Sequence, residues 1–390
     1  MSKVIGAWIS YPSMDNGAVQ LPKGVRYSYL PQQFADCEEL WDQLKDFVAS
    51  GDFTLGRELT IFEESFANLI GVKHAIGVNS GTDAIKLSLK ALGVGHGDEV
   101  ITNANTFVAT VGAIAELGAT PVFVDCDGTF CLDVTQVRAA VTGKTKAVVP
   151  VHFSGYMTDM SALMVLTNEL GLPVVEDACQ AILGSREGRN AGTWGDTGAF
   201  SLHPLKNLNV WSDGGVITTN SDILACNLRL LRNHGLVDRD TVELLGYNSR
   251  LDTFQAVVGS WLLPQAKDIA KLRIENAAIY DAGLIDLTQV RIPPRRPNEQ
   301  VVYHLYMVFA ERRDELLKFL NARGIEAKIH YPVPIYLQPA LAHLGYRKGD
   351  FPVADHDAAN LITFPCDQHL SSEQISLVIR SVREFYGASQ

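Results

Sequence analysis

Between residues 75 and 218, short apolar runs alternate with segments of helical length, and no other feature of the chain constrains the fold as strongly. Seven runs have the length of buried strands, at residues 75–78, 99–102, 121–125, 147–152, 173–176, 198–202 and 215–218. Helix-length segments separate most of them, at residues 84–92, 108–117, 135–141 and 160–170. This alternation is typical of a mainly parallel sheet covered by helices on both faces. We therefore predict an α/β fold whose large domain, residues 35–252, is built on a seven-stranded, mainly parallel sheet.

Two further helices are predicted ahead of this alternation. Apolar residues recur at helical spacing over residues 36–49 and again over residues 58–70, and Gly71 follows the second segment directly. Residues 1–34, in contrast, show little periodicity. We expect this first segment to form an irregular N-terminal leader.

The last part of the chain, residues 253–390, is expected to form a connecting helix and a smaller α+β domain. The helix should run from residue 253 to about residue 282, with a break or kink at Pro264. After a proline-rich segment, the pattern predicts a strand, a helix, a second strand and a final helix, at residues 301–309, 313–322, 326–330 and 373–385. Ser371 and Gln374 are spaced to form a capping box at the start of the final helix.

The charge and the apolar content of the chain exclude several classes of protein. Its 390 residues include 33 Lys and Arg against 44 Asp and Glu, a net charge of −11 without a long basic run, which argues against broad nucleic-acid binding. No stretch reaches the ~18 uninterrupted apolar residues of a membrane-spanning helix, and the N-terminus lacks the features of a secretory signal. The six cysteines form no C-x-x-C pair. We expect reduced thiols in a cytoplasmic protein.

Polar side chains follow two neighbouring strands of the predicted sheet. Asp177 and Gln180 come after the strand at residues 173–176, and Lys206 comes after the strand at residues 198–202. Because loops at the carboxyl ends of parallel strands share one edge of a sheet, these three side chains can converge. A lysine amine and an aspartate suit pyridoxal phosphate, since the lysine forms a Schiff base with the cofactor's aldehyde and the aspartate pairs with its pyridine nitrogen. Taken singly, a surface lysine and a helix-capping aspartate are the alternative interpretation.

A candidate phosphate site lies after the first strand, where residues 79–83, Asn-Ser-Gly-Thr-Asp, precede a helix. Small residues at a helix N-terminus expose backbone N–H groups toward an anion, and the helix dipole adds to the attraction. Ser201 can add a hydroxyl donor, and Phe107 lies on the same predicted edge and can stack on a flat ring. The alternatives are a capped strand-to-helix turn without a ligand and, for Phe107, packing in the core.

Two other signals do not point to a site. The glycine-rich segment at residues 93–97 precedes a strand and lacks the G-x-G-x-x-G spacing, so we reject a dinucleotide-binding loop there. Four histidines are scattered without metal-ligand spacing, so no metal site is predicted from His152, His203, His234 and His330.

From about residue 27 to the C-terminus, the chain resembles the DegT/StrS family of sugar aminotransferases. The motifs that carry the resemblance are Ser80-Gly81-Thr82, Phe107, Glu176-Asp177-Ala178-Cys179-Gln180, Ser201 with Lys206-Asn207, Asp213-Gly214-Gly215, and Gly246 with Asn248 and Arg250. The family has the aspartate-aminotransferase fold, which is fold type I of the pyridoxal-phosphate enzymes. The resemblance therefore implies this fold, pyridoxal 5'-phosphate as the cofactor, and its pyridoxamine form during turnover.

The resemblance also implies roles for the residues around the cofactor ring. Lys206 would form the Schiff base, and Asp177 would bind the pyridine nitrogen. Gln180 would bind the ring hydroxyl, and Phe107 would stack on the ring.

At the phosphate end, the resemblance implies binding by the residues that open the first helix of the alternation and by Ser201. The cofactor-binding set in that helix is Gly81, Thr82 and Asp83. Asn248 would reach the same phosphate from the partner subunit, so that two active sites are shared in a homodimer.

The resemblance implies transfer of an amino group from an amino acid, with L-glutamate as the expected donor, to a nucleotide-linked keto-sugar. His330 and Tyr331 would contact the substrate. Lys206 stands where deoxygenating dehydratases of the family have histidine, which favours transamination. Asp213 begins an Asp-Gly-Gly motif, as in family members acting at sugar C-3, whereas C-4 enzymes often have Glu-Gly-Gly; residues 209–212 depart from the usual glycine-rich version. The alternatives are a sugar dehydratase on the same scaffold and a non-catalytic, cofactor-binding regulatory protein.

Overall fold

The computed structural model describes residues 24–387. Its helices are α1 (Leu30–Gln33), α2 (Glu38–Ser50), α3 (Arg57–Ile70), α4 (Gly81–Ala91), α5 (Val108–Glu116), α6 (Val134–Ala140), α7 (Met160–Leu170), α8 (Asp222–Leu231), α9 (Thr253–Leu262), α10 (Ala266–Leu284), α11 (Arg313–Ala322), α12 (Pro352–Asn360) and α13 (Ser372–Phe385). Its strands are β1 (His74–Val78), β2 (Glu99–Asn103), β3 (Thr120–Val124), β4 (Thr145–Val149), β5 (Val175–Asp177), β6 (Ser185–Arg186), β7 (Arg189–Asn190), β8 (Thr197–Ser201), β9 (Gly215–Thr219), β10 (Val290–Arg291), β11 (Glu299–Gln300), β12 (Tyr306–Ala310) and β13 (Leu361–Phe364). None of the helices in this part of the chain combines the length and apolar character that crossing a bilayer requires.

Seven strands are linked edge to edge in the order β1-β9-β8-β5-β4-β2-β3. Two parallel bridges join β5 to β4, one between Val174 and Val148 and one between Asp177 and Val151. The paired strands are parallel except at β9, which runs antiparallel to both β1 and β8. The predicted α/β fold with a mainly parallel, seven-stranded sheet is therefore confirmed.

Helices cover both faces of this sheet, and successive residues of each strand point to opposite faces and pack against different helices. In β8, Phe200 packs into an apolar cluster with α2, α3 and α9, whereas Ala199 packs into a cluster with α4, α5 and α8. Val148 and Val149 of β4 divide between the same two clusters. The parallel strands end at a common edge, where the candidate site residues lie.

The C-terminal part of the described chain contains a three-stranded antiparallel sheet, β10-β12-β13, that packs against α10, α11 and α13. The predicted break at Pro264 is present, because a turn of 3₁₀ helix, Leu263–Gln265, separates α9 from α10. The predicted capping box between Ser371 and Gln374 also forms. The domain boundary near residue 252 stays a prediction.

Two predicted strands differ from the structure. The strand expected at residues 301–309 begins only at Tyr306, because the buried run before it forms a loop, and apolar character alone does not separate a strand from a buried loop. The segment expected as a strand at residues 326–330 makes one isolated bridge, between Lys328 and Thr363. The long helix, in contrast, ends at Leu284, within two residues of its expected end near residue 282.

Several elements were not predicted, namely α8, α12, β13 and the two-residue strands β6, β7, β10 and β11. In the described part of the expected leader, residues 30–33 form the short helix α1 and the fully buried Val25 is bridged to Ile325, and the leader as a whole stays a prediction. Residues 1–23 lie outside the described residues.

Candidate active site

The strands β5 and β8 bring Asp177 and Lys206 to one cavity. The two strands are parallel neighbours, with Asp177 opposite Ala199, and Lys206 follows in the loop after β8. The cavity has a volume of about 820 Å³ including its mouth, and Asp177, Gln180 and Lys206 all line it. The structure thus brings together the three side chains that the sequence places after neighbouring strands.

Both carboxylate oxygens of Asp177 accept hydrogen bonds from the protein. It is only 5% exposed, and Thr110 of α5 donates a hydrogen bond from Oγ1 to Asp177 Oδ2 at 2.8 Å. The backbone N–H of Cys179 donates to Asp177 Oδ1 at 3.2 Å. Since each carboxylate oxygen has a second lone pair, Asp177 can still accept a hydrogen bond from a ligand in the cavity.

Glu176, the residue before Asp177, anchors the end of this strand. Its fully buried carboxylate accepts backbone N–H groups from Gly192, Trp194 and Gly195 at 2.6–2.9 Å, together with a hydrogen bond from His152 Nε2. A buried carboxylate with four donors is well compensated for its lost hydration. Glu176 therefore fixes the strand end that presents Asp177.

Lys206 combines a fixed backbone with a half-buried amine. Its carbonyl oxygen accepts hydrogen bonds from the Tyr29 hydroxyl at 2.9 Å and from Asn209 Nδ2 at 3.1 Å. Burial lowers the pKa of the Lys206 amine, and nearby Cys179 and Asp177 oppose this effect. The amine forms no ion pair with any residue between 24 and 387. A neutral, reactive amine is therefore more accessible here than on an exposed lysine.

The N-terminus of α4 faces the same cavity. Ser80 caps this helix by accepting the backbone N–H three residues later, which leaves the N–H groups of Gly81 and Thr82 without an intrahelical partner. Close packing requires glycine at position 81, because a Cβ there would lie 2.7 Å from Ser201 Cβ and 2.9 Å from Cys179 Sγ. Ser80, Gly81, Thr82 and Ser201 line the cavity, so backbone and hydroxyl donors are available to an anion.

The side chain of Asp83 does not line the cavity, and its role at the phosphate stays a prediction. Its carboxylate forms an ion pair with Lys86 at 2.7 Å and accepts a hydrogen bond from Ser249 Oγ at 2.7 Å. A carboxylate would also repel a phosphate, so the role that its contacts support is in packing behind the anion cradle.

The side chain of Gln180 is oriented by a hydrogen bond from the backbone of Ser154. Its Oε1 atom accepts the backbone N–H of Ser154 at 2.7 Å, and the side chain is buried. The acceptor side of the amide is thus occupied, and the Nε2 group is left to donate to a ligand.

Two aromatic rings stand at the cavity, Phe107 and Tyr331, with centroids 5.7 Å apart. Phe107 is 48% exposed, which contradicts the alternative that it packs in the core. The neighbouring His330 does not line the cavity; it stacks on Tyr27 and its Nδ1 lies 2.9 Å from Thr363 Oγ1. Burial lowers the pKa of His330 to about 4.

Asn248 lies away from the Lys206 cavity of its own chain. It is exposed, and it lines a separate open recess of about 640 Å³ together with Phe53 and Arg250. Within one subunit, the structure therefore does not bring Asn248 to the other predicted cofactor-binding residues.

Sequence reasoning missed several residues at or behind the cavity. His203, which was set aside as a scattered histidine, lines it. Thr110 was overlooked, although it lies on the helix that starts directly after Phe107 and one turn further along. Tyr29 gave no signal, because the segment around it has no periodicity. In the described part of the chain, no group of three or more His, Cys, Asp or Glu is placed to hold a metal ion.

The donors around the cavity fit pyridoxal phosphate from end to end. The α4 N-terminus offers a phosphate cradle so tight that a Cβ at Gly81 would fill it, Asp177 offers a carboxylate for the ring nitrogen, and Lys206 offers the amine for the aldehyde. The fold and this site define a pyridoxal-phosphate-dependent transferase of fold type I.

The comparisons with known proteins identify the family. Residues 35–383 match the model of the DegT/DnrJ/EryC1/StrS aminotransferase family, and the chain belongs to this family. Structures that share its fold include sugar aminotransferases with bound pyridoxal or pyridoxamine phosphate. The protein is a pyridoxal-phosphate-dependent aminotransferase.

Three similar proteins illustrate the range of names within the family. A "pleiotropic regulatory protein" of Geobacillus stearothermophilus is 41% identical over 90% of this chain and 97% of its own. A dTDP-3-amino-3,4,6-trideoxy-alpha-D-glucose transaminase of Streptomyces venezuelae is 42% identical over 86% of this chain and 89% of its own. The crystal structure of S. venezuelae DesV in complex with a ketimine intermediate superposes with a TM-score of 0.91 at 39% identity, covering 94% of this chain and all of that one.

Proposed function

We propose that this aminotransferase moves an amino group from an amino acid, with L-glutamate as the donor, to a nucleotide-linked keto-sugar in amino-sugar biosynthesis. The observation that carries the proposal is one cavity in which Lys206, Asp177 and the anion cradle of α4 meet. The name of the S. venezuelae transaminase supports a nucleotide-linked sugar as the acceptor.

We place the keto group at C-3 of the sugar. Asp213, which begins the Asp-Gly-Gly motif, lines the cavity beside His203 and Lys206. The S. venezuelae transaminase is also named for a 3-amino sugar. A C-4 keto-sugar is the comparison substrate that tests this assignment.

The cofactor supplies an aldehyde that carries the amino group and a ring that accepts electrons. Lys206 is placed to move the proton at the Cα atom of the donor, and its lowered pKa enlarges the neutral fraction of the amine near neutral pH. Asp177 holds a proton at the pyridine nitrogen through its free lone pairs. Lys206 would thus serve the aldehyde of the bound cofactor, and Asp177 would serve its ring nitrogen.

The remaining residues bind and orient. Gly81, Thr82 and Ser201 hold the phosphate with backbone N–H and hydroxyl groups, which an acidic chain needs because its net charge of −11 offers no general attraction. Gln180 Nε2 donates to the ring hydroxyl, and Phe107 stacks on the ring.

Tyr331, opposite Phe107, covers the reacting atoms and contacts the sugar. His330 acts behind it as a positioning residue, held between Tyr27 and Thr363.

We further propose a cytoplasmic homodimer with shared active sites. Asn248 is exposed and does not line the cavity of its own chain, which is the arrangement expected of a residue that completes the site of a partner. All six cysteines are unpaired, as expected in a reducing compartment.

The test is mass spectrometry of products from a panel of nucleotide-linked 3-keto- and 4-keto-sugars with L-glutamate. We expect an amino-sugar and 2-oxoglutarate from the 3-keto substrate, and borohydride should attach the cofactor to the peptide that contains Lys206. Lys206→Ala should lower turnover by several orders of magnitude, whereas Lys267→Ala, an exposed change on α10, should not.

The other outcomes of this experiment are distinct. Loss of a hydroxyl without gain of an amino group would identify a dehydratase. Bound cofactor without turnover of any keto-sugar would favour the regulatory protein, and attachment at another lysine would contradict the role of Lys206.

A further inference from the structure

A chain of buried hydroxyl groups ends on the carboxylate of Asp177. The Thr106 and Thr110 hydroxyl oxygens are 2.7 Å apart, and Thr110 Oγ1 is 2.8 Å from Asp177 Oδ2. Thr106 is 2% exposed and Thr110 is fully buried, so bulk water does not compete for these hydrogen bonds. Thr110 lies on α5 and Thr106 lies just before this helix, whereas Asp177 is the last residue of β5.

The direction of the hydrogen bonds in this chain follows from the chemistry of its end. An ionised carboxylate only accepts hydrogen bonds, and a hydroxyl has one hydrogen to donate. Thr110 therefore donates to Asp177, and the Thr106 hydroxyl must donate to the Thr110 oxygen. Each donor polarises the next one, and both favour the charged form of the carboxylate.

We propose that Thr110, supported by Thr106, is a positioning residue that keeps Asp177 ionised and aimed at the cavity, so that the proton they share stays on the pyridine nitrogen of the cofactor. This inference rests on the proposed role of Asp177 toward that nitrogen. Two donors on different oxygens, Thr110 and the N–H of Cys179, also fix the plane of the carboxylate.

Removing the Thr110 hydroxyl has a defined consequence. The carboxylate of Asp177 would lose one of its two donors, and its charged form would become less favourable. The proton between Asp177 and the pyridine nitrogen would then move toward the carboxylate. A ring nitrogen without its proton accepts electrons less well, so the chemical step slows while substrate binding is retained.

The experiment compares Thr110→Val with wild type, each loaded with pyridoxal phosphate that is ¹⁵N-labelled at the ring nitrogen. We expect the ¹⁵N resonance of the Thr110→Val enzyme to move toward that of unprotonated pyridine. We also expect kcat to fall about tenfold with the KM for the keto-sugar within about twofold of wild type. Thr110→Ser, which retains the hydroxyl, should restore both the resonance and kcat.

Two further variants serve as controls. Thr102 of β2 has an equally buried hydroxyl, which donates to the carbonyl of Val149 at 2.8 Å. Thr102→Val removes this hydroxyl and should not move the ¹⁵N resonance. Thr106→Val removes only the second link and should shift the resonance in the same direction but less, which keeps the test valid if Thr110→Val does not fold.

An unchanged resonance and kcat in Thr110→Val, or an equal effect of Thr102→Val, would overturn the inference. Failure of the proposed function is distinguishable, because in that case the wild-type protein would not bind the labelled cofactor or its signal would not respond to Asp177→Asn.

Discussion

At the scale of single residues, the anion cradle depends on how closely α4 approaches the end of β8. Gly81 has no room for a side chain, since a Cβ would meet both Ser201 and Cys179 at less than 3 Å. We expect Gly81→Ala to weaken the affinity of the apoprotein for pyridoxal phosphate at least about tenfold, because either the helix N-terminus or Ser201 must move. Titration of the apoprotein with the cofactor, followed by absorbance, measures this effect.

The matched control is Gly112→Ala on α5, where a Cβ meets nothing within 4 Å. This change should leave cofactor affinity unchanged and slightly stabilise the helix, by up to about 1 kcal/mol. If Gly81→Ala bound the cofactor as tightly as wild type does, the cradle at α4 would not be the phosphate site.

The candidate residues that the sequence identified share one property: their backbone position alone places them at the site. Asp177 and Lys206 follow strands, and the edge where parallel strands end is common to any such sheet. Thr110 and Tyr29 act through side-chain contacts with distant parts of the chain, so local pattern carries no information about them. The contact of Asp83 with Ser249, which is 166 residues away, is likewise one that no local pattern predicts.

At the scale of elements, α12 is attached to the large sheet through buried carboxylates. Asp125, just after β3, accepts the backbone N–H groups of Val353 and Ala354 at 2.9 Å and so caps this helix from another part of the chain. Asp357, further along α12, is 2% exposed, and its Oδ2 atom has no hydrogen-bond partner among the described residues.

Asp357 should make the stability of this attachment depend on pH. Burial raises the pKa of Asp357 from 3.8 to about 8, nearby Arg291 opposes the effect, and the carboxylates of Asp125 and Asp127 add to it. His356 Nδ1 lies 3.6 Å from Asp357 Oδ1 and also faces it. Between these two pKa values, the folded state binds a proton that the unfolded state has released. The free energy of unfolding therefore falls as pH rises through this window.

We expect Asp357→Asn to remove this dependence, since asparagine is neutral at every pH. The excess of its melting temperature over that of wild type should grow by a few degrees between pH 5 and pH 9, because wild type loses up to about 1.4 kcal/mol for each pH unit within the window. Asp268→Asn, an exposed change on α10, controls for the loss of a carboxylate. Melting curves of equal separation at both pH values would contradict a raised pKa at Asp357.

The elements that the sequence predicted best are those whose burial is two-sided. The strands of the large sheet read as continuous apolar runs because helices cover both faces. The strand β13 is also fully buried but has only four residues, and α12 buries only Ala354, Asp357 and Ala358, so neither gives a long apolar pattern. The buried loop before β12 has the same apolar character as a strand, and only its hydrogen bonds distinguish the two.

At the scale of the whole molecule, the segment that starts at residue 24 contacts both the C-terminal part of the chain and the loop that contains Lys206. Val25 pairs with Ile325, Tyr27 stacks on His330, and the Tyr29 hydroxyl donates to the Lys206 carbonyl. The backbone N–H of Tyr27 also donates to Glu326, which is 299 residues away, and the Tyr29–Lys206 hydrogen bond joins residues 177 positions apart. A segment without periodicity therefore contributes to the site through long-range contacts that no local pattern predicts.

The same scale includes the proposed dimer, in which each cavity is completed by the other subunit. Asn248 is exposed and outside its own cavity, and in the proposed dimer it would contact the phosphate in the partner's cavity. In a two-fold symmetric dimer, the same residue of each subunit then contributes to the active site of the other subunit.

Complementation between two inactive variants tests this arrangement. Lys206→Ala removes the reactive amine, and Asn248→Asp places a negative charge against the phosphate, so each homodimer should be inactive. If the sites are shared, a heterodimer has one site with both defects and one site with neither, and its activity should reach about half that of wild type. The measurement is turnover after subunit exchange, with native mass spectrometry to establish how much heterodimer has formed. Heterodimers without activity would place Asn248 in its own subunit's site or outside the site altogether, because only a residue that acts across the interface can be restored by a partner carrying a different defect.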